Sequence, residues 1–343
     1  MRSSSFLGSC FTLFVASQIS AATIELQLIT QPGFPLGGER RWVEALSRAG
    51  IDGVRINSGR GGEEGGIKNV GTERSPRYQV FGILTSKNQL RLPGGTFSLS
   101  NIGGIRSWAE KLKADGTDGL FTPKGAFGLT GKQLLAVHEG LSTQIPFSTK
   151  GEKSNEVIAR IIRLIPIGIK VHASAKEGLA SDEIVLDELA GVSTGTALAA
   201  SLRPLGLVLV PHRPQGGSVT LWISDARVAK EVWPVGWPPE KSPADTFPKL
   251  YEFLTVEIGQ DYKLTDALDA IQQKIAAPLL YDHNNMARYG VELSEVRVSL
   301  PEQRTYYKKV FDRLLGQSKP RLTNEIRVDE SGQPFLWITT LKP

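Results

Sequence analysis

Cysteine is almost absent from this chain. Cys10 is the only one among 343 residues, and it lies ahead of the point where an exported chain would be cut. A mature chain beginning near Ala22 or Thr23 would have no thiol, which excludes disulfides, thiolate metal sites and a cysteine nucleophile. Long apolar runs are scarce as well. After Ile19 none approaches the ~20 residues that a helix needs to span a bilayer, so no transmembrane segment is expected in the mature chain. Clustered basic residues are also missing. The formal charge of +5 is spread along the chain, whereas nucleic-acid binding requires Lys and Arg gathered on a patch or helix, so no nucleic-acid partner is expected.

What is present begins with an address. Arg2 supplies a positive start, Phe6 to Ile19 form an apolar run, and Ser20-Ala21-Ala22 offers small residues at a cleavage position. This is the pattern of a Sec-type signal peptide over residues 1–22, implying a periplasmic or extracellular protein. Leu7-Gly8-Ser9-Cys10 resembles a lipoprotein box, but the apolar run continues past the cysteine instead of ending there.

About 320 residues remain, enough for two or three domains, and 36 Gly with 20 Pro imply many turns and short elements. Residues 23–130 read as an N-terminal α+β domain. Ile24, Leu26 and Leu28 alternate with polar residues as a half-buried strand does, and Trp42, Val43, Leu46 and Ala49 follow at helical spacing. Val54 and Ile56 continue as a strand. Ser58 to Gly66, rich in Gly, Glu and Arg, reads as a flexible loop. Strands are expected at Tyr78 to Leu84, Gln89 to Leu92 and Thr96 to Leu99, then a helix with Ile105, Trp108, Ala109 and Leu112 that closes at Gly116.

From residue 131 the chain repeats itself. In 131–225, Ser154 can cap a helix carrying Val157, Ile158, Ile161, Ile162 and Ile165. Strands at Ile169 to His172 and Ile184 to Leu186 follow, then a helix with Leu198, Leu202 and Leu205, and a hairpin of Leu207 to Val210 with Val219 to Ile223. In 251–343 the order recurs. A strand Phe253 to Ile258 leads to a helix with Leu264, Ala267, Leu268, Ile271 and Ile275, and strands Leu279 to Tyr281 and Val291 to Val298 follow. Ser299-Leu300-Pro301-Glu302 reads as a capping box opening a helix that carries Tyr307, Val310, Phe311, Leu314 and Leu315 and is capped by Gly316, before a hairpin of Leu322 to Val328 with Phe335 to Thr339. Between the copies, residues 226–250 hold Pro234, Pro238, Pro239, Pro243 and Pro248, the composition of a stiff, extended linker. The fold class expected is α+β: small mixed sheets each covered by two helices, in tandem, after an N-terminal α/β segment.

The two copies resemble the secretin and TonB N-terminal domain, the STN module. The resemblance is carried by Leu264-Thr265-Asp266-Ala267-Leu268-Asp269-Ala270-Ile271, Pro278-Leu279-Leu280-Tyr281-Asp282 and Phe311 to Gly316 in the later copy. In the earlier copy it rests on Thr196-Ala197-Leu198, Leu202 to Leu207 and Trp222-Ile223, with Val232-Trp233-Pro234-Val235 like the short strand that trails such modules. It covers about half the chain. It implies a bacterial envelope protein that uses non-catalytic modules to contact a protein partner, without the pore or receptor barrel that the family carries elsewhere.

No residue stands out as catalytic, cofactor-binding or metal-binding. His138, His172, His212 and His283 lie in four different expected elements, with no second His one turn away, and read as surface or edge histidines. Gly125 to Lys132 resembles a phosphate loop but carries Ala126 and Gln133 at positions the motif needs, and Gly59-Arg60-Gly61 is followed by Glu64 where a dinucleotide fingerprint needs Gly. Asp182-Glu183 and Asp187-Glu188 read as a solvated acidic face. No Gly-x-Ser-x-Gly elbow appears. Trp233 and Trp237 sit among the linker prolines, either as an exposed docking strip or packed back over a neighbouring module, the latter being favoured. A protein-binding envelope protein is thus the reading, and an exported hydrolase or carbohydrate-active enzyme with its site in residues 23–130 is the alternative.

Overall fold

The computed structural model describes residues 22–59, 64–72, 75–121, 124–214 and 217–341. Residues 1–21 of the expected signal peptide therefore lie outside the described residues, as do the centre of the glycine-rich loop and part of the first repeat's hairpin turn. The chain is α+β and divides into two compact units at Lys124.

The first unit holds β1 (Thr23–Thr30), α1 (Gly38–Arg48), β2 (Gly53–Ser58), β3 (Gly66–Asn69), β4 (Arg77–Leu84), β5 (Gln89–Leu92), β6 (Gly95–Ser98) and α2 (Ile102–Phe121). The sheet order is β2-β1-β4-β5-β6, with β1 parallel to β2 and β4, and β3 pairs antiparallel with β4. Alternation in β1 buries Ile24, Leu26 and Leu28 against Trp42 and Leu46 of α1 and Ile105, Trp108 and Leu112 of α2. Each of the two indoles has a polar partner, as large buried rings with one polar atom require: Trp42 Nε1 donates to Asn88 Oδ1 at 3.0 Å and Trp108 Nε1 to the Pro93 carbonyl at 2.9 Å. Two expectations change. The end of the glycine-rich stretch forms β3, because Gly66 to Asn69 find an open edge on β4. The last helix runs on to Phe121, and Gly116, at φ 66°, interrupts it instead of ending it.

The second unit contains the repeat. Its elements are α3 (Gly131–Gly140), α4 (Ser154–Leu164), β7 (Ile169–Val171), α5 (Lys176–Leu179), α6 (Thr194–Leu202), β8 (Leu207–His212) and β9 (Thr220–Asp225). Then follow α7 (Pro243–Thr246), β10 (Phe253–Lys263), α8 (Leu264–Ile275), β11 (Leu279–Tyr281), α9 (His283–Arg288), β12 (Arg297–Tyr306), α10 (Tyr307–Leu315), β13 (Leu322–Val328) and β14 (Pro334–Thr340). The sheets β7-β9-β8 and β11-β14-β13 have the same order and sense, a parallel strand on one side of the centre and a hairpin on the other. Their registers match residue for residue: Lys170 faces Trp222, which faces Val210, and Leu280 faces Trp337, which faces Glu325. The helices α4 and α6 stand in one copy where α8 and α10 stand in the other.

The copies differ on the far side of their helices. The later one has a two-stranded antiparallel sheet, β10 with β12, whereas the earlier one keeps only the bridges Gln144 to Ser193 and Lys153 to Ile184. Pro146 removes a donor there, and Gly151 and Gly191 turn the chain at positive φ, so the strand expected at Ile184 to Leu186 is reduced to a single pair.

The three expected caps of these helices fall differently. Ser154 is the first residue of α4 rather than its cap, the cap position being Lys153. Residues 299–302 belong to β12, because Val298 and Leu300 alternate into the core and a two-stranded sheet leaves edges that tolerate Pro301. Consequently α10 starts only at Tyr307, and Gly316 closes it at φ −67°, without a left-handed cap.

The proline-rich segment folds back rather than extending. Trp233 and Val235 are buried in the core of the earlier copy, and Phe247 and Leu250 in that of the later one. The Trp233 amide donates to the Leu209 carbonyl at 2.7 Å, and Trp237 exchanges backbone bonds with Val328. Gly236, at φ 68°, makes this turn, and a Cβ there would lie 2.3 Å from the Phe335 ring. Gly236→Ala combines that overlap with left-handed strain, so a loss of about 2 to 4 kcal/mol is expected in urea unfolding; a change under about 0.5 kcal/mol would contradict this packing.

Candidate functional site

The later copy's sheet is apolar on both faces. Leu279, Leu336 and Ile338 point into its own core, while Leu280, Phe335 and Trp337 point the other way and join the core of the earlier copy. Polar groups gather where the copies meet, and the largest cavity described in this unit opens there.

At the junction is Glu330, on the turn between β13 and β14, which is 5% exposed. Its Oε1 accepts from Trp233 Nε1 at 2.6 Å and Trp237 Nε1 at 3.3 Å. Its Oε2 accepts from the Thr196 amide at 2.9 Å, from Thr196 Oγ1 at 2.8 Å and from the Ser193 hydroxyl. Every group touching it donates, which is the environment of an ionised carboxylate, an acceptor on both oxygens. Gly195 leaves room for it, since a Cβ there would fall 2.7 Å from Oε1. Next to it Asp329, 2% exposed, accepts from the amides of Ser193, Ser331 and Gln333 at 2.8, 2.9 and 2.9 Å. Neither carboxylate has an ion-pair partner among the described residues.

Above this floor lies a cavity of about 840 Å³, within the range of ligand-binding clefts. One wall is α3, whose start is fixed by a capping box between Thr130 and Gln133 and which offers Leu134, Leu135 and His138. The facing wall is Trp233, Trp237, Pro238 and Pro239, and the rim carries Glu240, Lys241 and Asp245. Trp233 and Trp237 meet edge to face at 5.0 Å between ring centres, and His138 lies 5.8 Å from Trp237. Both indole N–H groups are turned to Glu330, so neither is left to donate into the cleft. Leu135 is 57% exposed at its edge.

A second polar contact joins the copies. Asp187 is buried, its Oδ1 lies at hydrogen-bond distance, 2.8 Å, from His283 Nε2, and its Oδ2 accepts from the Tyr281 amide at 3.3 Å. Burial first, then the Asp187 charge, pushes the Tyr281 phenol up. Ser154 and Ser201 border the same gap, so a carboxylate, an imidazole and two hydroxyls share one place. The gap measures about 20 Å³, space for about one water molecule, and Ser201 Oγ is bonded to the Ala197 carbonyl at 2.9 Å. Nearby, burial raises the Glu188 carboxyl, but hydrogen bonds from Ser148, Ala190 and Thr149 outweigh it and hold the group below its usual range.

The expected solvated acidic face is therefore only half correct. Asp182 and Glu183 are exposed, but Asp187 is buried and Glu188 half-buried, because Val185 and Leu189 on either side enter the core and draw the segment down. His172 and His212 are exposed edge histidines beside Trp222, at 6.1 and 5.1 Å, whereas His138 and His283 are half-buried at the two junction contacts. Nothing in the local sequence marks Glu330, Asp187 or His283, since their partners lie about a hundred positions away. The start of α3 was readable in Thr130 and Gln133 but was masked by the likeness of that stretch to a phosphate loop. Among the described residues no group of three or more His, Cys, Asp or Glu is placed to hold a metal ion, and no helix is long and apolar enough to cross a membrane. No family model, curated protein or solved structure matches the chain.

Proposed function

We propose that the chain is an exported cell-envelope protein, without catalytic activity of its own, whose tandem STN-like modules bind another protein through the cleft at their junction. The observation that carries this reading is the combination of an open cavity with aromatic and aliphatic walls and a carboxylate floor whose lone pairs are already engaged. A general acid or base must be free to exchange a proton with a substrate, whereas Glu330 is committed to five donors. The shared sheet order of the two copies supports the likeness to the STN module, and the export pattern at the N-terminus supports an envelope address.

The test is a pull-down from an envelope fraction with the mature chain as bait, compared with Leu135→Ser, an exposed change that leaves the core intact. Retention of a protein by the wild type, reduced by Leu135→Ser, is the expected result. A bait that retains nothing, or a partner held equally by both, would count against the cleft. The hydrolase alternative places its site in residues 23–130; the grouping that comes nearest to hydrolase chemistry lies elsewhere, in the Asp187 and His283 pair beside Ser154 and Ser201. The size of that gap leaves no place for a substrate beside the hydroxyls.

A further inference from the structure

The chemistry of the cleft narrows the kind of partner that fits it. Its lining holds four carboxylates, Asp329, Glu330, Glu240 and Asp245, against a single cation, Lys241. The two in the floor are buried and satisfied only by neutral donors. Hydrogen bonds from hydroxyls, amides and indoles stabilise a negative charge without cancelling it, so its field extends toward the cavity. Beside this floor stands Trp237, half-buried and lining the cavity, with its N–H already donated to Glu330. An indole face attracts cations through its quadrupole.

Aromatic faces, a negative floor and acidic groups at the mouth together form a receptor for a cation that also has an apolar stem. Resting on the protein-binding reading above, we infer that the cleft takes a basic side chain, arginine or lysine, from an extended segment of the partner. The aliphatic stem would lie along Leu134, Leu135 and Pro239, and the charged head over Trp237. Overall attraction does not account for such binding, because the chain itself is positively charged, at +5. The acidity is local to the cleft.

Calorimetric titration of the mature chain with a hexa-arginine peptide tests this, with hexa-citrulline as the shape-matched neutral control and arginine amide as the free cation. Hexa-arginine is expected to bind at least about ten-fold more tightly than hexa-citrulline and than arginine amide, and to weaken as salt is raised. The double variant Glu240→Gln with Asp245→Asn alters only exposed rim residues and is expected to lose about ten-fold in affinity. Glu292→Gln with Glu295→Gln, on a different surface depression, should change nothing. Equal binding of the arginine and citrulline peptides, or equal loss in both double variants, would overturn the inference. Tighter binding of arginine amide than of the peptide would overturn its assignment to a partner's side chain. A partner retained in the pull-down but indifferent to the rim variants would sink this inference alone, whereas a partner indifferent to Leu135→Ser as well would sink the protein-binding role of the cleft.

Discussion

Replacing Glu330 by Ala is expected to cost about 4 kcal/mol of stability, more than any other change of a polar residue at the junction, as a shift in urea midpoint at unchanged slope. The estimate follows from what the substitution strands. Five donors aim at the two carboxylate oxygens, and the Ser193, Thr196 and Trp233 groups among them lie in buried residues. Each buried donor left without an acceptor costs about 1 to 3 kcal/mol, and water entering from the cavity side would recover part of that for Trp237. Glu330→Gln should cost less, about 2 kcal/mol, because its amide keeps one acceptor but turns a second group of donors toward donors. Tryptophan emission should shift to the red in both variants as the Trp233 and Trp237 rings lose their anchor. If Glu330→Ala fell within about 0.5 kcal/mol of the wild type, the carboxylate would not be the group that holds the two tryptophans.

The balance at Glu330 also explains how the proline-rich segment comes to be ordered. A segment with five prolines tends to stay extended, and that is what its composition alone suggests. Here Trp233 and Val235 gain a buried position, and the indoles find an acceptor that belongs to the other copy. The local tendency was legible and the tertiary partner was not, because Glu330 stands 97 positions from Trp233 and looks like any acidic turn residue.

The same division runs through the rest of the molecule. Period-two alternation marked β1 and helical stripes marked α4, α8 and α10, since burial on one face dictates these patterns directly. Element ends were less faithful. The Ser299 to Glu302 stretch carries a true capping pattern, yet the pairing of Leu300 with Ile258 keeps it in β12. Local cap chemistry is worth about 1 kcal/mol and yields to the burial of Val298 and Leu300 within a paired strand. The candidate cleft was least legible. Trp237, Leu135 and Glu330 come from three segments that only the doubled fold brings together.

That doubling makes the second large prediction. Trp222 and Trp337 occupy the same register position in the two copies, and both stand on the outer face of a three-stranded sheet. In the later copy this face is covered: Trp337 is 3% exposed, packs with Leu280 and Phe335 in the core of the earlier copy, and has the guanidinium of Arg327 over its ring at 5.1 Å and that of Arg203 at 5.7 Å. In the earlier copy Trp222 is half-buried among exposed groups, with Lys170 and the two edge histidines around it. A buried Trp replaced by Ala loses its transfer energy and leaves a cavity, about 3 to 5 kcal/mol, whereas a half-exposed one on a sheet surface loses about 1. Trp337→Ala should therefore destabilise the protein several-fold more than Trp222→Ala in parallel urea titrations, although neighbouring sequence and register give the two residues the same description. Arg203 separates the two causes of burial, because it lies in the earlier copy and reaches across to Asp282 at 3.1 Å as well as to Trp337. If the copies pack as described, Arg203→Ala and Trp337→Ala are coupled, and the double variant costs less than the sum of the singles by about 0.5 kcal/mol or more. Equal costs for the two tryptophans, or strict additivity with Arg203, would mean that the outer face of the later sheet is not covered by the earlier copy, and the cleft between them would lose its floor.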